Sequence, residues 1–383
     1  PGLTATMGVA LLVTLTYGLP GDQAILTLIC MYVGAIYGGS RSAILLNIPG
    51  TPASAATSLD GYPLAQAGKA GYAMGLATTS SAIGTLVGIF CLAVLAPMLA
   101  EFAFNFGSYE FFWLAVFGVV ISGRLTAAGD PLKGYIAGLL GLLVAMIGME
   151  SLHAYRRFTF DIPQMAGGID IIPAMVGAFG FAEILTVMKR KADAQVIRSQ
   201  GRVIPEFKDL WKYRRTSIRS GVIGTLVGII PGVGEDIGSW SSYAAARRAS
   251  KEKEQFGKGS YEGLTAAETG NSAVIPGALI PVLTLAIPGS TSAAVLIAAM
   301  FIHDIRPGPM LMIENPDFLY QVVAMLLFTT LAITVYGLSM TRLLVKVLNI
   351  PREKLMPVIY VLCVIGSFSI SQQLFDVYVM VFF

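Results

Sequence analysis

The chain has 383 residues, of which 55% are hydrophobic and only 13% are charged, and its mean hydropathy is +0.71. Soluble domains carry about 25% charged residues, so the composition excludes an ordinary soluble protein and predicts an all-α polytopic membrane protein. The net charge is +3, and the three cysteines lie in apolar runs that lack the spacing of a metal site or a disulfide framework.

Long apolar segments predict the membrane crossings. In chain order, the predicted crossings are 22–58, 72–99, 109–127, 132–150, 170–188, 260–302, 318–341 and one that begins near 356. Two of them, 22–58 and 260–302, are longer than the about 20 residues that one straight span needs, and each is interrupted by Pro-Gly. Because the chain begins with Pro1 and ends in the apolar stretch VYVMVFF, we expect a fragment trimmed at both ends.

Basic residues predict which loops face the cytoplasm. Residues 189–219 contain ten Lys and Arg against three acids, and Lys and Arg accumulate in cytoplasmic loops. Alternating crossings from this segment then place four further loops on the same side, namely 60–71, 124–133, 247–258 and 342–356. The segment 189–219 is therefore predicted to be cytoplasmic.

One apolar segment, residues 216–246, has a basic segment at each end and does not fit a simple crossing. Each of its arms has about 15 residues, or roughly 22 Å of helix, against a hydrocarbon core of about 30 Å. We therefore predict a re-entrant helical hairpin with Pro231-Gly232 at its tip, where the backbone must be buried in protein or face water.

An internal repeat relates the two halves of the chain. PGLTATMG at 1–8 resembles PGVGEDIG at 231–238, and GGSRSAILLNIPGTPASAA at 38–56 resembles GALIPVLTLAIPGSTSAAV at 277–295. The loops that follow lie on opposite sides by the charge rule, so we predict two inverted repeats with discontinuous helices. Residues 1–188 are predicted to form the first repeat with additional transmembrane helices. Residues 189–219 form the basic cytoplasmic linker, and residues 220–383 form the truncated second repeat.

The paired helix breaks predict a binding site. Half-helix N-termini carry a partial positive charge suited to carboxylates, and the small residues after each break let a solute approach the backbone. A Pro-Gly pair can also merely kink a packed helix, but the same break in both halves favours a transporter site. The candidate substrate-binding residues lie at the two breaks, together with Arg41, and are Asn47, Pro49, Gly50, Thr51, Ser54, Arg41, Pro288, Gly289, Ser290 and Thr291. Arg41 could clamp a carboxylate, or it could snorkel or pair with an acid.

Four stretches make the chain resemble the large membrane subunit of the bacterial tripartite tricarboxylate transporter family. They are YGGSRSAILLNIPGTPASAATSLDGYPLAQAGKAG (37–71), GIIPGVG (228–234), FGKGSYEGLTAAETGNSA (256–273) and LIPVLTLAIPGSTSAAVLIAAMFIHDIRPGPML (279–311). The resemblance implies a multi-pass permease of the bacterial inner (cytoplasmic) membrane that works with a small membrane subunit and a periplasmic solute-binding protein. It implies secondary import of citrate-like carboxylates, driven by a gradient of Na⁺ or H⁺, with no catalysis, no cofactor beyond a coupling Na⁺ and no nucleic-acid partner.

Oxygen-bearing residues near the predicted hairpin tips and in the matching stretch AAETGNSA are candidates for binding the coupling ion. Freed carbonyls, hydroxyls and carboxylates suit hard cations such as Na⁺. The candidates are Gly2, Thr4, Gly232, Gly234, Glu235, Asp236, Glu268 and Asn271. Glu235-Asp236 departs from the small uncharged residues expected after PGVG, and acids within a membrane are costly and usually functional. These acids would repel a polyanion, or they could instead pair with Arg41 or cap a helix; Glu268 and Asn271 could instead form an internal hydrogen bond.

Two other functional classes remain as alternatives. An anion channel, or a carrier for a different small organic solute, would use broken half-helices equally well. An intramembrane enzyme would need a catalytic pair within the membrane, and Asp236 alone is a clear candidate, so we predict that the chain is not an enzyme. The sequence leaves open whether several copies form a homo-oligomer in the lipid bilayer.

Overall fold

The computed structural model describes residues 4–126, 131–150, 155–182, 184–185, 203–341 and 352–383. These residues are largely helical, apart from turns and a two-stranded antiparallel pairing of Gly148–Met149 with Arg156–Arg157. Three helical stretches are long and apolar enough to cross a membrane: Gly21–Leu46, Ser54–Ala103 and Phe318–Ser339. The prediction of an all-α polytopic membrane protein is confirmed.

The described helices are numbered here in chain order. Those of the first part of the chain are α1 (Ala5–Thr16), α2 (Gly21–Leu46), α3 (Ser54–Leu64), α4 (Ala70–Ala103), α5 (Ser108–Thr126), α6 (Pro131–Ala145) and α7 (Ile171–Met175). Those of the second part are α8 (Phe207–Lys212), α9 (Arg214–Ile229), α10 (Gly234–Ala249), α11 (Tyr261–Leu285), α12 (Thr291–Ile302), α13 (Leu311–Glu314), α14 (Phe318–Ser339), α15 (Arg352–Ser371) and α16 (Leu374–Phe382). A π-helical turn over Val176–Phe181 follows α7.

Helix α11 lies at the centre of the fold. All its residues from Gly263 to Thr284 are buried, and it packs against α4, α9 and α10. Small residues allow this close packing: Gly84 of α4 and Gly224 of α9 each lie against the α11 backbone, where a side chain would collide. In contrast, α5 and α6 pack against each other and expose large apolar side chains such as Trp113 and Leu139, as expected for surfaces that face lipid.

Both long apolar segments are discontinuous at their Pro-Gly pairs. Helix α2 ends at Leu46, because Asn47 adopts the left-handed conformation (φ 54°) and donates its N–H to the carbonyl of Ser42. Helix α11 ends at Leu285, because Ala286 adopts the same conformation (φ 57°) and donates its N–H to the carbonyl of Pro281. Such left-handed caps are a common way to end a helix.

The two breaks have matching backbone geometry. Ile48 N–H lies 3.4 Å from the Ser42 oxygen, and its counterpart Ile287 N–H lies 3.2 Å from the Pro281 oxygen. Ile48 and Ser42 are separated from Ile287 and Pro281 by the same number of residues that separates the two IPG motifs. This agreement supports a duplication, but the inverted repeats and the boundaries 1–188, 189–219 and 220–383 stay predictions.

The segment predicted as a re-entrant hairpin consists of two contacting helices. Helices α9 and α10 have 16 residues each, about 24 Å of helix, and a short turn over residues 230–233 joins them. Gly232 (φ 73°) and Gly234 (φ 66°) adopt left-handed conformations in and next to this turn, which Gly tolerates without steric cost. The location of the hairpin relative to a membrane stays a prediction.

The predicted loop 60–71 is wrong in extent. Helix α3 continues to Leu64, α4 begins at Ala70, and a π-helical turn over Ala65–Lys69 connects them with one non-helical residue, Gly68. Its Ala-rich sequence favours helix, so the direction changes at one kink instead of along a loop. Within the basic segments assigned to the cytoplasm, residues 127–130, 189–202 and 342–351 lie outside the described part of the chain.

Candidate functional site

The hairpin tip contacts the second break through the backbone. Gly232 N–H donates to the Pro288 carbonyl at 3.3 Å, and Gly234 N–H donates to the Gly289 carbonyl at 3.0 Å. A Cβ atom at Gly289 would collide with the carbonyl oxygen of Gly228 in α9. The tip and the second break therefore form one packed unit, and Gly289 is required for their close approach.

Glu235 connects this unit to α2. Its buried carboxylate accepts a hydrogen bond from the hydroxyl of Tyr32, which itself lies 2.8 Å from the hydroxyl oxygen of Ser290. The same Ser290 oxygen caps α12 by accepting the N–H of Ala293 at 3.1 Å. Glu235 therefore lies beside the N-terminus of the half-helix that follows the second break.

Asp236 reaches the first break. Its carboxylate faces the backbone N–H of Ala53, the residue that precedes α3. The two adjacent acids of the hairpin tip thus lie at different breaks. Glu235 contacts Tyr32 beside Ser290 at the second break, and Asp236 faces the first break. The structure brings together three segments that are far apart in the sequence.

The first break is held together mainly by local contacts. Thr51 and Ser54 are buried, with their hydroxyl oxygens 2.8 Å apart, and Gly50 N–H lies 3.3 Å from the Gly39 carbonyl. Asn47 and Pro49 are exposed. Among the candidates at this break, Thr51, Ser54 and Gly50 are therefore positioned by the fold, whereas Asn47 serves to end α2.

Helix α1 contacts the second break. Thr6 in α1 lies 2.8 Å from the hydroxyl of Thr291 and 3.1 Å from that of Ser292. Thr4 caps α1 by accepting the N–H of Met7 at 3.2 Å, so its side chain serves its own helix. The predicted ligand Gly2 lies outside the described residues.

Glu268 forms a second polar cluster. It is fully buried in α11 and accepts hydrogen bonds from Ser40 of α2 at 2.8 Å, from Ser81 of α4 at 2.9 Å and from Thr57 of α3. Asn271 lies three residues further along the same face of α11. Asn271 is also fully buried, and neither its oxygen nor its nitrogen has a hydrogen-bond partner among the described residues.

Arg41 lies apart from both breaks. Its Nη1 donates to the Met74 carbonyl at 2.6 Å and to the Thr78 hydroxyl at 3.2 Å, and its guanidinium lies 4.2 Å from the centre of the Tyr37 ring. The side chain is 2% exposed, so it does not snorkel. It is fixed in the α2–α4 interface, about 200° around α2 from Gly39.

Of the three candidate acids, Glu235 and Glu268 are buried, and Asp236 is partly buried. No described Lys or Arg forms an ion pair with Glu235, Asp236 or Glu268. A carboxylate removed from water is costly unless it is paired or hydrogen-bonded. The hydroxyl and N–H donors supply part of this compensation, and a bound cation or a proton would supply the rest.

A further acid ties α3 to the turn between α10 and α11. Asp60 accepts the backbone N–H groups of Gly257, Gly259 and Ser260 at 2.7–3.0 Å, and the hydroxyl of Tyr243 at 2.9 Å. Asp60 is fully buried. It fixes the C-terminal half of α3 to the hairpin at the end away from the break.

Two titratable groups outside the membrane-spanning segments, Lys212 and His303, have pKa values that their surroundings shift. Lys212 forms an ion pair with Glu252 at 2.9 Å, and this hydrogen bond raises the pKa of Lys212 above its usual value. Partial burial lowers the pKa of His303, which lies 3.4 Å from the hydroxyl of Thr16. Neither group contacts the two breaks.

Sequence reasoning missed several residues that the fold brings to the site. They are Tyr32, Ser40, Thr57, Ser81, Thr6 and Asp60. For Tyr32 a signal existed, because Tyr32, Ile36 and Gly39 share one helical face that leads to the first break. For Ser81 no local signal exists, since its partner Glu268 is 187 residues away.

Comparison with known proteins identifies the family. The family model of the tripartite tricarboxylate transporter TctA family matches residues 1–383. The chain is 35% identical over 388 residues to an uncharacterized 52.8 kDa protein in the TAR-I ttuC' 3' region of Agrobacterium vitis, covering 100% of this chain and 76% of the relative. It is 34% identical over 158 residues to an uncharacterized protein in the TAR-II ttuC' 3' region of the same organism, covering 41% of this chain and 65% of the relative.

No solved structure matches the chain. The family match extends over all 383 residues and does not support the expectation of a fragment trimmed at both ends, which stays a prediction.

Proposed function

The chain belongs to the tripartite tricarboxylate transporter TctA family, and we propose that it is the permease subunit of a binding-protein-dependent secondary transporter in the bacterial inner membrane. Its cargo is a citrate-like carboxylate, and a gradient of Na⁺ or H⁺ drives import. The family is one of transporters, which points to a protein without catalytic activity.

One observation supports the site assignment most strongly. The hairpin tip binds the second break through the Gly234 and Gly289 backbones, and its Asp236 carboxylate faces the first break. Discontinuous helices that meet near the membrane midplane are where secondary transporters bind solute and ion. We therefore assign solute binding to the region bounded by the first break, the second break and the tip.

The Glu268 cluster is suited to a coupling cation. It offers two carboxylate oxygens and three hydroxyl oxygens within one buried volume. Oxygen ligands with a single negative charge suit a hard monovalent cation better than a divalent one, which usually takes more carboxylates. Its contacts with α2 and α3, on either side of the first break, would make cation binding sensitive to the geometry of that break.

The proposed partners follow from the family. A tripartite transporter implies a solute-binding protein and a small membrane subunit, and the binding protein would deliver the solute to the periplasmic face. The alternation of crossings that places the basic loops in the cytoplasm would put loops 101–108, 150–169 and 303–317 on the periplasmic side, and these are the candidate docking regions. After solute and cation bind, one helix bundle would move relative to the rest and open the site to the cytoplasm, by rocking or by an elevator-like slide.

Uptake by the reconstituted complex tests this function. Proteoliposomes would contain this subunit and its small membrane subunit, with added binding protein and labelled carboxylates, with and without an inward Na⁺ or H⁺ gradient. We expect accumulation above equilibrium that requires both the gradient and the binding protein. Uptake that only equilibrates under every gradient would contradict the carrier mechanism and favour a channel.

A further inference from the structure

We propose that Asp236 and Asn271 restrict the cargo to carboxylates with at most two negative charges that also carry a hydrogen-bond donor, a hydroxyl or an ammonium group. This inference rests on the proposed function, because it places the solute between the helix breaks. It assigns a specificity-determining role to residues of this chain. It narrows the citrate-like carboxylates of the proposed function to those with fewer charges and disfavours the tricarboxylates among them.

The first step concerns the position that Asp236 occupies. The start of a helix offers free N–H groups and a partial positive charge, which attract anions. At the first break, the Asp236 carboxylate already faces the N–H of Ala53 at the start of α3. A protein carboxylate thus fills the position that a substrate carboxylate would otherwise take.

At the second break, too, a carboxylate of the protein lies beside the start of a half-helix. Glu235 accepts the hydroxyl of Tyr32, and both lie beside Ser290, which caps α12. The Glu235 and Asp236 carboxylates therefore place two acids between the two half-helix N-termini. No described Lys or Arg forms an ion pair with either of them.

An independent observation comes from α11. Asn271 is fully buried, and both polar atoms of its carboxamide lack a partner among the described residues. Buried amides without partners are rare in folded proteins, and Asn carries both a donor and an acceptor. Such a group is suited to a solute that itself offers both an acceptor and a donor.

The contacts of neighbouring residues show where Asn271 points. Glu268, three residues earlier on the same face, contacts Ser40 in α2 and Thr57 in α3. The backbone carbonyl of Ala267 accepts a hydrogen bond from the hydroxyl of Ser239 in α10 at 3.2 Å. Asn271 follows these residues by about one helical turn. It therefore lies beside the N-terminal end of α10, which contains Asp236, on the face of α11 that is directed toward the first break.

The charges of the site then decide the class of cargo. A trianion would add three negative charges next to two acids that lack basic partners, in a region where water screens charge poorly. A carboxylate with fewer charges can bind the amide nitrogen of Asn271, and its hydroxyl or ammonium group can donate to Asp236, which is only partly buried. The substrate donor is essential because Asp236, when ionised, can only accept.

Direct binding to the membrane complex tests this inference. The purified complex of this subunit and its small membrane subunit would be titrated, without binding protein, with citrate, malate and succinate at one pH. Ligand-dependent thermal stabilisation would give the affinities. We expect malate to bind about tenfold more tightly than succinate, which lacks the hydroxyl, and more tightly still than citrate.

Two variants locate the effect. Asp236→Asn removes one charge while keeping the shape, so the preference for malate over citrate should fall by about tenfold. Asn271→Ala should weaken malate binding by about tenfold and leave the ranking against citrate in place. Glu254→Gln, which removes an exposed acid far from the tip, is the control and should change neither value.

The outcomes separate the two proposals. If citrate binds as tightly as malate in the parent complex, or if Asp236→Asn leaves their ratio unchanged, the specificity inference is overturned while carboxylate transport stands. If none of the three carboxylates binds or is accumulated, the proposed function itself fails. Should Asp236→Asn not fold, the parent ranking and the Asn271→Ala variant still decide the question.

Discussion

The two helix breaks share a backbone conformation but differ in what holds them. Gly234 and Gly232 bind the second break through backbone hydrogen bonds at 3.0 and 3.3 Å, and α9 packs directly on Gly289. At the first break, the nearest neighbour of Gly50 is Gly39 of the preceding helix α2, and the hairpin faces this break only with the side chain of Asp236. The second break is therefore fixed to the hairpin by backbone contacts, whereas the first break is fixed to α2 and only a side chain of the hairpin faces it.

This difference suggests which break responds to ligands. Backbone contacts between packed elements cannot be changed without moving whole helices, while a side-chain contact can be exchanged for a ligand. The Glu268 cluster also lies on the side of the first break, between α2 and α3. We expect solute and cation binding to alter the first break more than the second.

The largest effect is expected from adding one methyl group at the second break. Gly289→Ala would place its Cβ against the backbone carbonyl of Gly228 and within 3.0 Å of the Ala278 Cα. Since neither backbone can yield without separating α9 from α11, we expect a destabilisation of about 1–3 kcal/mol or more and loss of uptake. Thermal unfolding of the purified protein and proteoliposome uptake would measure the two effects.

The matched variant at the first break sharpens the comparison. Gly50→Ala brings a Cβ within 2.6 Å of the Gly39 Cα, but only local segments must shift, so the loss of stability should be smaller. Gly38→Ala, whose Cβ would meet open space, is the control and should keep both stability and uptake. Equal losses for Gly50→Ala and Gly289→Ala would show that both breaks are equally fixed.

A second large effect is expected where α3 is tied to the hairpin. Asp60→Ala would leave the N–H groups of Gly257, Gly259 and Ser260 without their acceptor. Water can replace Asp60 at the exposed Gly257, but the N–H of the buried Ser260 would stay unsatisfied, which costs about 1–3 kcal/mol. We expect faster hydrogen exchange over residues 257–260 and a lower unfolding temperature. Glu254→Ala removes an exposed acid from the same turn as a control. Unchanged exchange would mean that the turn holds its conformation without Asp60.

Sequence reasoning found the breaks and the hairpin because their signals are local. Pro49-Gly50, Pro288-Gly289 and Pro231-Gly232 each interrupt an apolar run, and steric limits at Pro act within a few residues. The interactions between these segments could not be predicted. Tyr32 contacts Glu235 across 203 residues, and such pairs depend on how the helices pack rather than on any local pattern.

The direction of the Arg41 side chain could not be predicted for the same reason. Arg41 lies only eight residues before Pro49 in the sequence. On a helix, however, residues two apart face nearly opposite directions, so Gly39 faces the break and Arg41 faces α4. Proximity in sequence predicted the neighbourhood of the site but not the direction of this side chain.

A smaller effect is expected at the cation cluster near the first break. Glu268→Gln keeps the side-chain shape but removes the negative charge that would attract a cation, so half-maximal uptake should need about ten times more coupling ion. Uptake measured over a range of Na⁺ and H⁺ concentrations would report this shift. Glu262→Gln is a matched control, because Glu262 lies in the same helix and also accepts two hydroxyls, from Thr216 and Ser250, away from the breaks. A shift of similar size in both variants would argue against a cation site at Glu268.

The smallest effect is expected at the second break, from Tyr32→Phe. This change removes the hydroxyl between Glu235 and Ser290 but leaves the backbone contacts of Gly232 and Gly234 in place. One buried hydrogen bond contributes about 0.5–1.5 kcal/mol net, so we expect a modest loss of stability and preserved gradient-driven accumulation. Tyr17→Phe, at a tyrosine that is 58% exposed, serves as the control for thermal unfolding. If Tyr32→Phe instead abolished accumulation, the second break would depend on side chains rather than on its backbone contacts, and the proposed asymmetry between the breaks would be wrong.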